Sequence, residues 1–405
     1  MTQEETPGGA AADALPPRKR IVIFSAQYLP HTGGVENYTY QIARRFEEMG
    51  AHAIVVALAN CGGAGYEVDD AGFEVFRLPC KDIAKSRYPM AKSGAEYDRA
   101  FARIDAQGGA DYVIVNTRFY PHSVRGARFA RQRGITPVFI EHGSAHLTVG
   151  NALVDKGVEA VEHAMTRQVA KEAPVFYAVS KAASAWLGHF GQVSCGELPN
   201  SIDAADFRAM ASSRDFRRDF DVPEGALLVA FSGRFVPEKG IGAVLGAARA
   251  LEREGERVFF VLAGGDSCAL APFAKTGGIP RNVAAAGLVS RTDMAALMTQ
   301  ADAFCLPSRS EGFSSSLLEA AACGACPVIT DVGGAREVIC DEEHGIILSD
   351  ASADAVAGAL RGLARDRERC RAMGNAARAR VEETLSWSKT ARAALAACEQ
   401  ANPNR

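Results

Sequence analysis

Two glutamates bracket the segment Glu311-Gly312-Phe313-Ser314-Ser315-Ser316-Leu317-Leu318-Glu319, which follows the short apolar run Ala303-Phe304-Cys305-Leu306. The run predicts a strand, and the residues after it predict a helix opening on Gly312 and the serines, with Glu311 before it and Glu319 inside it. Free backbone N–H groups and the positive end of such a helix can face a diphosphate. The carboxylates stay free to accept from hydroxyls on either side, so the arrangement suits a sugar nucleotide. A glycoside hydrolase also uses two acids, but about 5–9.5 Å apart across one bond. Eight residues of helix would put these about 12 Å apart at about 1.5 Å per residue, which disfavours that chemistry. Taken alone, the pair reads equally well as two surface glutamates around a helix start. Its surroundings decide.

A predicted strand over 227–231 leads into Ser232-Gly233-Arg234-Phe235-Val236-Pro237-Glu238-Lys239-Gly240. An arginine can fork onto phosphate oxygens while a lysine acts as a compact point charge. At a strand's carboxyl end, Arg234 and Lys239 could neutralise a departing nucleoside diphosphate. In the first half, Gly33 and Gly34 follow the predicted strand 21–24 and let backbone approach a ligand without a Cβ in the way. His142, beside Gly143, follows the predicted strand 137–140 and could contact that ligand, although a capping or core histidine would look the same.

Other motifs carry less. No GxGxxG follows the first strand and no acid ends the second, so a dinucleotide site is disfavoured. Cys323-Gly324-Ala325-Cys326 lacks both a second pair for zinc and a thioredoxin-like setting. His142 and His146 lack the glutamate of HExxH, and Asp219-Phe220-Asp221 sits in an Arg-rich segment rather than at a strand end. No metal is expected.

These loops need a scaffold. Short apolar runs alternate with helical patterns at 21–24, 53–58, 112–115, 137–140 and 175–179, then at 227–231, 258–262, 303–306, 327–329 and 345–348. The pattern predicts an α/β chain of two facing Rossmann-like, doubly wound domains with the ligand in the cleft beyond the strand ends. A length of 405 residues agrees with two domains. The turn-rich segment 198–203 could serve as the hinge, and 66–95 and 142–151 read as loops of the first domain. A net charge of −3 gives no reason to expect nucleic acid. No apolar run reaches the ~20 residues that span a bilayer. Residues 1–17 read as a disordered tail without a signal-peptide core, which places the chain in the cytoplasm. The basic helix 124–133 could lean on anionic lipid, or simply be solvated.

In order along the chain, Gly33-Gly34-x-Glu36, His142-Gly143, Val179-Ser180-Lys181, Pro199-Asn200-Ser201-Ile202-Asp203, Gly233-Arg234 with Lys239-Gly240, Ala263-Gly264-Gly265-Asp266, Glu311–Glu319, Gly324-x-x-Pro327-Val328, and Gly333-Gly334-x-x-Glu337 resemble the family 4 (group 1) retaining glycosyltransferases of the GT-B fold. The resemblance runs from Ile21 to about Trp387. It implies a tail over 1–17, an acceptor-binding domain over 18–200, a nucleotide-sugar-binding domain over 201–380 and a C-terminal segment, 381–405, crossing back to the first. It implies that Arg234 and Lys239 bind the diphosphate, with Gly233 beside them. Glu319 takes the ribose, while Glu311 with Gly312, Phe313, Ser314, Ser315 and Ser316 holds the donor sugar and pyrophosphate. Gly33 and Gly34 approach from the acceptor side, His142 lies near the transferred sugar, and Leu288 near the base. The implied co-substrate is a nucleoside-diphosphate sugar of UDP or GDP type, used without a metal. The acceptor would be a glycan or lipid-linked glycan of bacterial polysaccharide or glycolipid synthesis, reached in the cytoplasm or by peripheral contact with the membrane. Many members carry glycine or proline after Glu-Gly-Phe where this chain has serines, so the serines do not name the donor. A sugar-nucleotide epimerase of the same fold and a non-catalytic nucleotide-sugar-binding subunit are the alternatives.

Overall fold

A computed structural model describes residues 18–31, 33–81, 88–92, 94–146, 152–273 and 278–405. The tail read over 1–17 lies outside them. Ten strands belong to the first half: β1 (Arg20–Ser25), β2 (His52–Leu58), β3 (Gly65–Val68), β4 (Glu74–Leu78), β5 (Cys80–Lys81), β6 (Met90–Ala91), β7 (Tyr112–Asn116), β8 (Val138–Glu141), β9 (Val175–Ala178) and β10 (Ser194–Glu197). Six follow in the second: β11 (Leu227–Ser232), β12 (Val258–Ala263), β13 (Val283–Gly287), β14 (Ala303–Leu306), β15 (Cys326–Thr330) and β16 (Ile346–Leu348).

They form an eight-stranded sheet in the order β10-β9-β8-β7-β1-β2-β4-β3 and a six-stranded sheet in the order β13-β12-β11-β14-β15-β16, with β5 and β6 as a separate ribbon. Every pairing in the two sheets is parallel except β3 with β4. Helices cover both faces of parallel sheets, so the central strands read as continuous apolar runs. Residues 21–24 and 227–231 are fully buried, as that rule requires. In both sheets the order reverses beside the first strand of the domain, β1 or β11, and ligands bind beyond the strand ends at such a point.

Two elements differ from the sequence reading. The stretch 66–95 is not all loop: β4 pairs in register with β2, and a helix begins at Gly94. Glu74 and Arg77 interrupt the apolar run of β4, which hid it from a periodicity reading. The helix after β14 spans Ser315–Cys323 and does not open on Gly312. The Ser314 hydroxyl accepts the Leu317 N–H and makes Ser314 the cap.

The basic segment 124–133 lies largely in the helix Pro121–Gln132. Three of its arginines have partners, Arg125 over Tyr97, Arg128 at Glu172 and Arg133 at Asp105, while Arg125, Arg128 and Arg131 are exposed. No helix among the described residues is long and apolar enough to cross a membrane. The helix Arg367–Thr384 runs past residue 380, and after Leu385 the last helix, Trp387–Ala401, lies on the first domain. There Asn402 takes the Thr136 N–H at 2.8 Å and returns a bond to the Thr136 carbonyl at 3.1 Å.

Candidate active site

The loop after β11 is short and tightly held. Pro237–Lys239 makes one 3₁₀ turn, and Gly240 ends it with φ at 72°. A Cβ on Gly240 would sit 2.1 Å from the Pro307 carbonyl oxygen, so only glycine lets this loop touch the end of β14. That contact brings Lys239 Nζ within 2.6 Å of Glu311 Oε1. Ser308 donates to the same oxygen at 2.6 Å. Two sequence-predicted residues 72 positions apart are thereby joined. Arg234 is exposed at the start of the loop, and its guanidinium has no partner among the described residues.

Gly233, Gly264 and Gly287 end three adjacent strands. Gly233 donates to Ala263, and Gly264 to Gly287, at 3.0 and 2.9 Å. The residue after Gly287 is Leu288, which is 89% exposed, an unusual setting for a leucine. Glu319, on the helix Ser315–Cys323, has its carboxyl pushed up to about 7 by burial, with Arg291 opposing the rise.

The first domain meets this site through consecutive carbonyls. Ser144 Oγ donates to the Glu311 carbonyl, Ser180 Oγ to that of Gly312 at 3.1 Å, and Asn200 Nδ2 to that of Phe313 at 3.2 Å. A Cβ on Gly312 would fall 1.7 Å from the His142 carbonyl oxygen, so only glycine permits this approach of the two domains. Ser314 is buried as the cap, while Ser315 and Ser316 begin the helix itself. Gly33 and Gly34 open the helix Gly34–Glu48, and Gly34 faces Asn200. Ser144, Ser180, Asn200 and Asn116 had no role assigned from the sequence. Each lies at or just past a first-domain strand end, and that position was the available signal.

His142 is held by the first domain. Its Nε2 lies 3.0 Å from Asn116 Oδ1, and Asn116 Nδ2 donates to Thr39 Oγ1 at 2.8 Å. The second bond fixes the amide, so His142 Nε2 carries the proton and Nδ1 is left as an acceptor. Burial holds the imidazole down at about 3, which keeps it neutral at ordinary pH. Tyr38 packs edge-on against the ring at 4.8 Å. Beside it lies a cavity of about 220 Å³ lined by Arg118, Tyr120, Glu141, Glu162 and Trp186 among others. Arg118 and Glu141 form a buried ion pair there at 2.9 Å. Elsewhere, burial pushes the Cys323 thiol up, and Cys326 is buried beside Met373.

The family model described as Glycosyltransferase Family 4 matches residues 32–206, and that described as Glycosyl transferases group 1 matches residues 212–380. The GDP-mannose-dependent alpha-(1-6)-phosphatidylinositol monomannoside mannosyltransferase of Mycobacterium tuberculosis is 27% identical, over 92% of this chain and 96% of its own. Among solved structures, the sucrose-phosphate synthase of Thermosynechococcus elongatus superposes with a TM-score of 0.74 at 18% identity, covering 95% of this chain and 99% of its own. Anabaena HepE in complex with UDP-glucose superposes with a TM-score of 0.66 at 15% identity, covering 94% and 99%. Two matched domains, facing sheets and loops meeting at both strand ends lead to one assignment: the chain belongs to the family 4, group 1 glycosyltransferases and has the GT-B fold.

Proposed function

We propose that the protein moves a sugar from a nucleoside-diphosphate sugar, of UDP or GDP type, to an acceptor hydroxyl with retention at the anomeric carbon. The observation that carries this reading is the Lys239–Glu311 contact at 2.6 Å, in a loop pair pressed against His142 of the other domain. Lys239 and the free guanidinium of Arg234 would meet the diphosphate charge without a metal. The N–H groups of Gly312, Phe313 and Ser314 have no partner among the described residues and would add to them. Glu319 would take the ribose and Leu288 the base. Glu311, held by Lys239 and Ser308, would turn its remaining oxygen to the sugar.

Given retention, what the site offers supports a front-face route. A double displacement needs a carboxylate on the far face of the sugar, and the acids nearest His142 are engaged, Glu141 by Arg118. A front-face route needs no such group. The bond from the anomeric carbon to the β-phosphate oxygen breaks, and that oxygen takes the acceptor's proton as the acceptor oxygen bonds to carbon on the same face. Arg234 and Lys239 stabilise the charge on the leaving diphosphate, and His142 accepts from a hydroxyl of the sugar through Nδ1. The acceptor, a glycan or lipid-linked glycan of envelope polysaccharide or glycolipid synthesis, would enter by the cavity beside His142. A cytoplasmic enzyme, in passing contact with the membrane, fits such an acceptor.

Thermal unfolding against UDP, GDP, ADP and TDP at millimolar concentration tests the donor site. A ligand at 100 times its Kd adds about 2.7 kcal/mol of stability. A rise in unfolding temperature with one nucleotide is expected and selects the donor sugars for assay. No rise with any of them sinks the diphosphate assignment, and product of inverted configuration sinks the mechanism.

A further inference from the structure

Three imidazoles and two carboxylates converge on the first domain, outside the donor loops. His146 follows β8, while Glu159 and His163 stand four apart on the helix Ala152–Ala170, so both lie on one face. His189 ends the helix Lys181–His189. His146 Nε2 lies 3.2 Å from His189 Nε2 and 3.3 Å from Glu159 Oε1. With His163, these donor atoms all fall within 4.8 Å of one another. The His163 ring itself has no hydrogen-bond partner among the described residues.

Hydrogen bonding alone accounts poorly for this grouping. His146 can face Glu162 through Nδ1 and Glu159 through Nε2, but His189 then meets only another ring nitrogen, and the His163 ring gains no bond by joining them. A metal ion accounts for all of it. Bonds of about 2.0–2.1 Å at tetrahedral angles place neighbouring ligand atoms about 3.3 Å apart. His146 already shows that spacing to two neighbours, and rotation of the more exposed side chains brings the rest in. His146 Nδ1 meets Glu162 Oε2 at 2.5 Å. Such an outer carboxylate orients a ligating imidazole and leaves its other nitrogen for the metal.

We propose that His146, Glu159, His163 and His189 bind one divalent transition-metal ion of the zinc type. Imidazole and carboxylate donors suit zinc better than magnesium or calcium. Four protein donors complete a tetrahedron and leave no open position, so the ion is structural. It ties the segment after β8 to two helices. Glu162 and Trp186 belong to the same wall of the cavity beside His142, and the Trp186 ring stacks on His189 at 4.8 Å. The ion therefore braces that cavity. The sequence weighed His146 only with His142, whose ring the structure turns to Asn116 instead. This proposal stands whether or not the donor reading holds.

The test uses untagged full-length protein, stripped with a chelator and titrated with Zn²⁺ against a chromophoric competitor. One equivalent should bind at micromolar affinity or tighter and raise the unfolding temperature. Fluorescence should change as well, since Trp186 is one of only two tryptophans. Glu162→Gln should weaken binding about 10- to 100-fold, and His163→Ala or His189→Ala by more. Cys340→Ser, in the exposed group Cys340, Asp341 and His344, should leave it unchanged. Absence of binding to the wild-type chain overturns the proposal without recourse to any variant. Binding that survives both histidine changes, or that Cys340→Ser abolishes, overturns it as well.

Discussion

At the scale of single residues, the site separates its titrating groups by environment. His142 is held down to about 3 by burial and stays neutral, so its part in the reaction should not vary with pH. Glu319 is the reverse case, an acid raised to about 7 because burial outweighs the pull of Arg291. Ribose hydroxyls donate to the ionised carboxylate, so a bound nucleotide should lower that pKa. Affinity should then rise with pH through 7, by about tenfold at most between pH 6 and 8. Calorimetric titration of the nucleotide at both pH values checks this, and in Glu319→Gln the slope should vanish. Stability runs the other way. A folded pKa above the ordinary 4.5 favours the folded protein while Glu319 is protonated, a contribution present below 4.5 and lost as pH rises through 7. Glu319→Gln should therefore unfold at a higher temperature than wild type at pH 8 and at a similar one at pH 4.5. An equal offset at both pH values would refute the burial assignment.

At the scale of elements, the Glu311–Ser316 loop does two jobs with opposite faces of its backbone. Its carbonyls accept from Ser144, Ser180 and Asn200 of the first domain, and the N–H groups of Gly312, Phe313 and Ser314 have no partner among the described residues. Gly312→Ala should act here before it acts on folding. A methyl 1.7 Å from the His142 oxygen cannot be accommodated with the domains in contact, so the contact must open. Activity should fall about 100-fold, the cost of even a 1 Å misplacement of reacting groups. Nucleotide binding to the second domain should persist. Loss of nucleotide binding along with activity would instead mean that the donor loop itself had collapsed. The same loop shows what the sequence could convey. The strand before it, the glycine and the two glutamates were legible because each depends on local residue type and spacing. The helix start was misplaced because Ser314, Ser315 and Ser316 are chemically equal as caps, and only the turn's geometry selects Ser314. The three donors from the first domain could not be found by spacing, since they lie more than 110 residues away. The histidine cluster was not found for the same reason; the sequence weighed His146 only with His142.

At the scale of the whole molecule, the last helix links the first domain to the site. Trp387 is 3% exposed and packs edge-on against Tyr38 at 5.5 Å, and Tyr38 in turn packs against His142 at 4.8 Å. Thr390 adds bonds to Ser201 at 2.8 Å and to the Pro199 carbonyl at 3.1 Å, beside the Asn200 that holds Phe313. Two residues of the last helix therefore brace a histidine of the first domain and the crossing segment 199–201 beside the donor loop. Removing the Trp387 ring should cost about 3–5 kcal/mol of stability, as for other buried tryptophans. The milder Trp387→Leu keeps an apolar fill and should fold. In that variant kcat should fall while the nucleotide Kd holds, because the ring acts on His142 and not on Arg234, Lys239 or Glu319. Steady-state kinetics and nucleotide titration on the same preparation separate these effects. An unchanged kcat in a destabilised but folded Trp387→Leu would reduce the ring stack to packing alone.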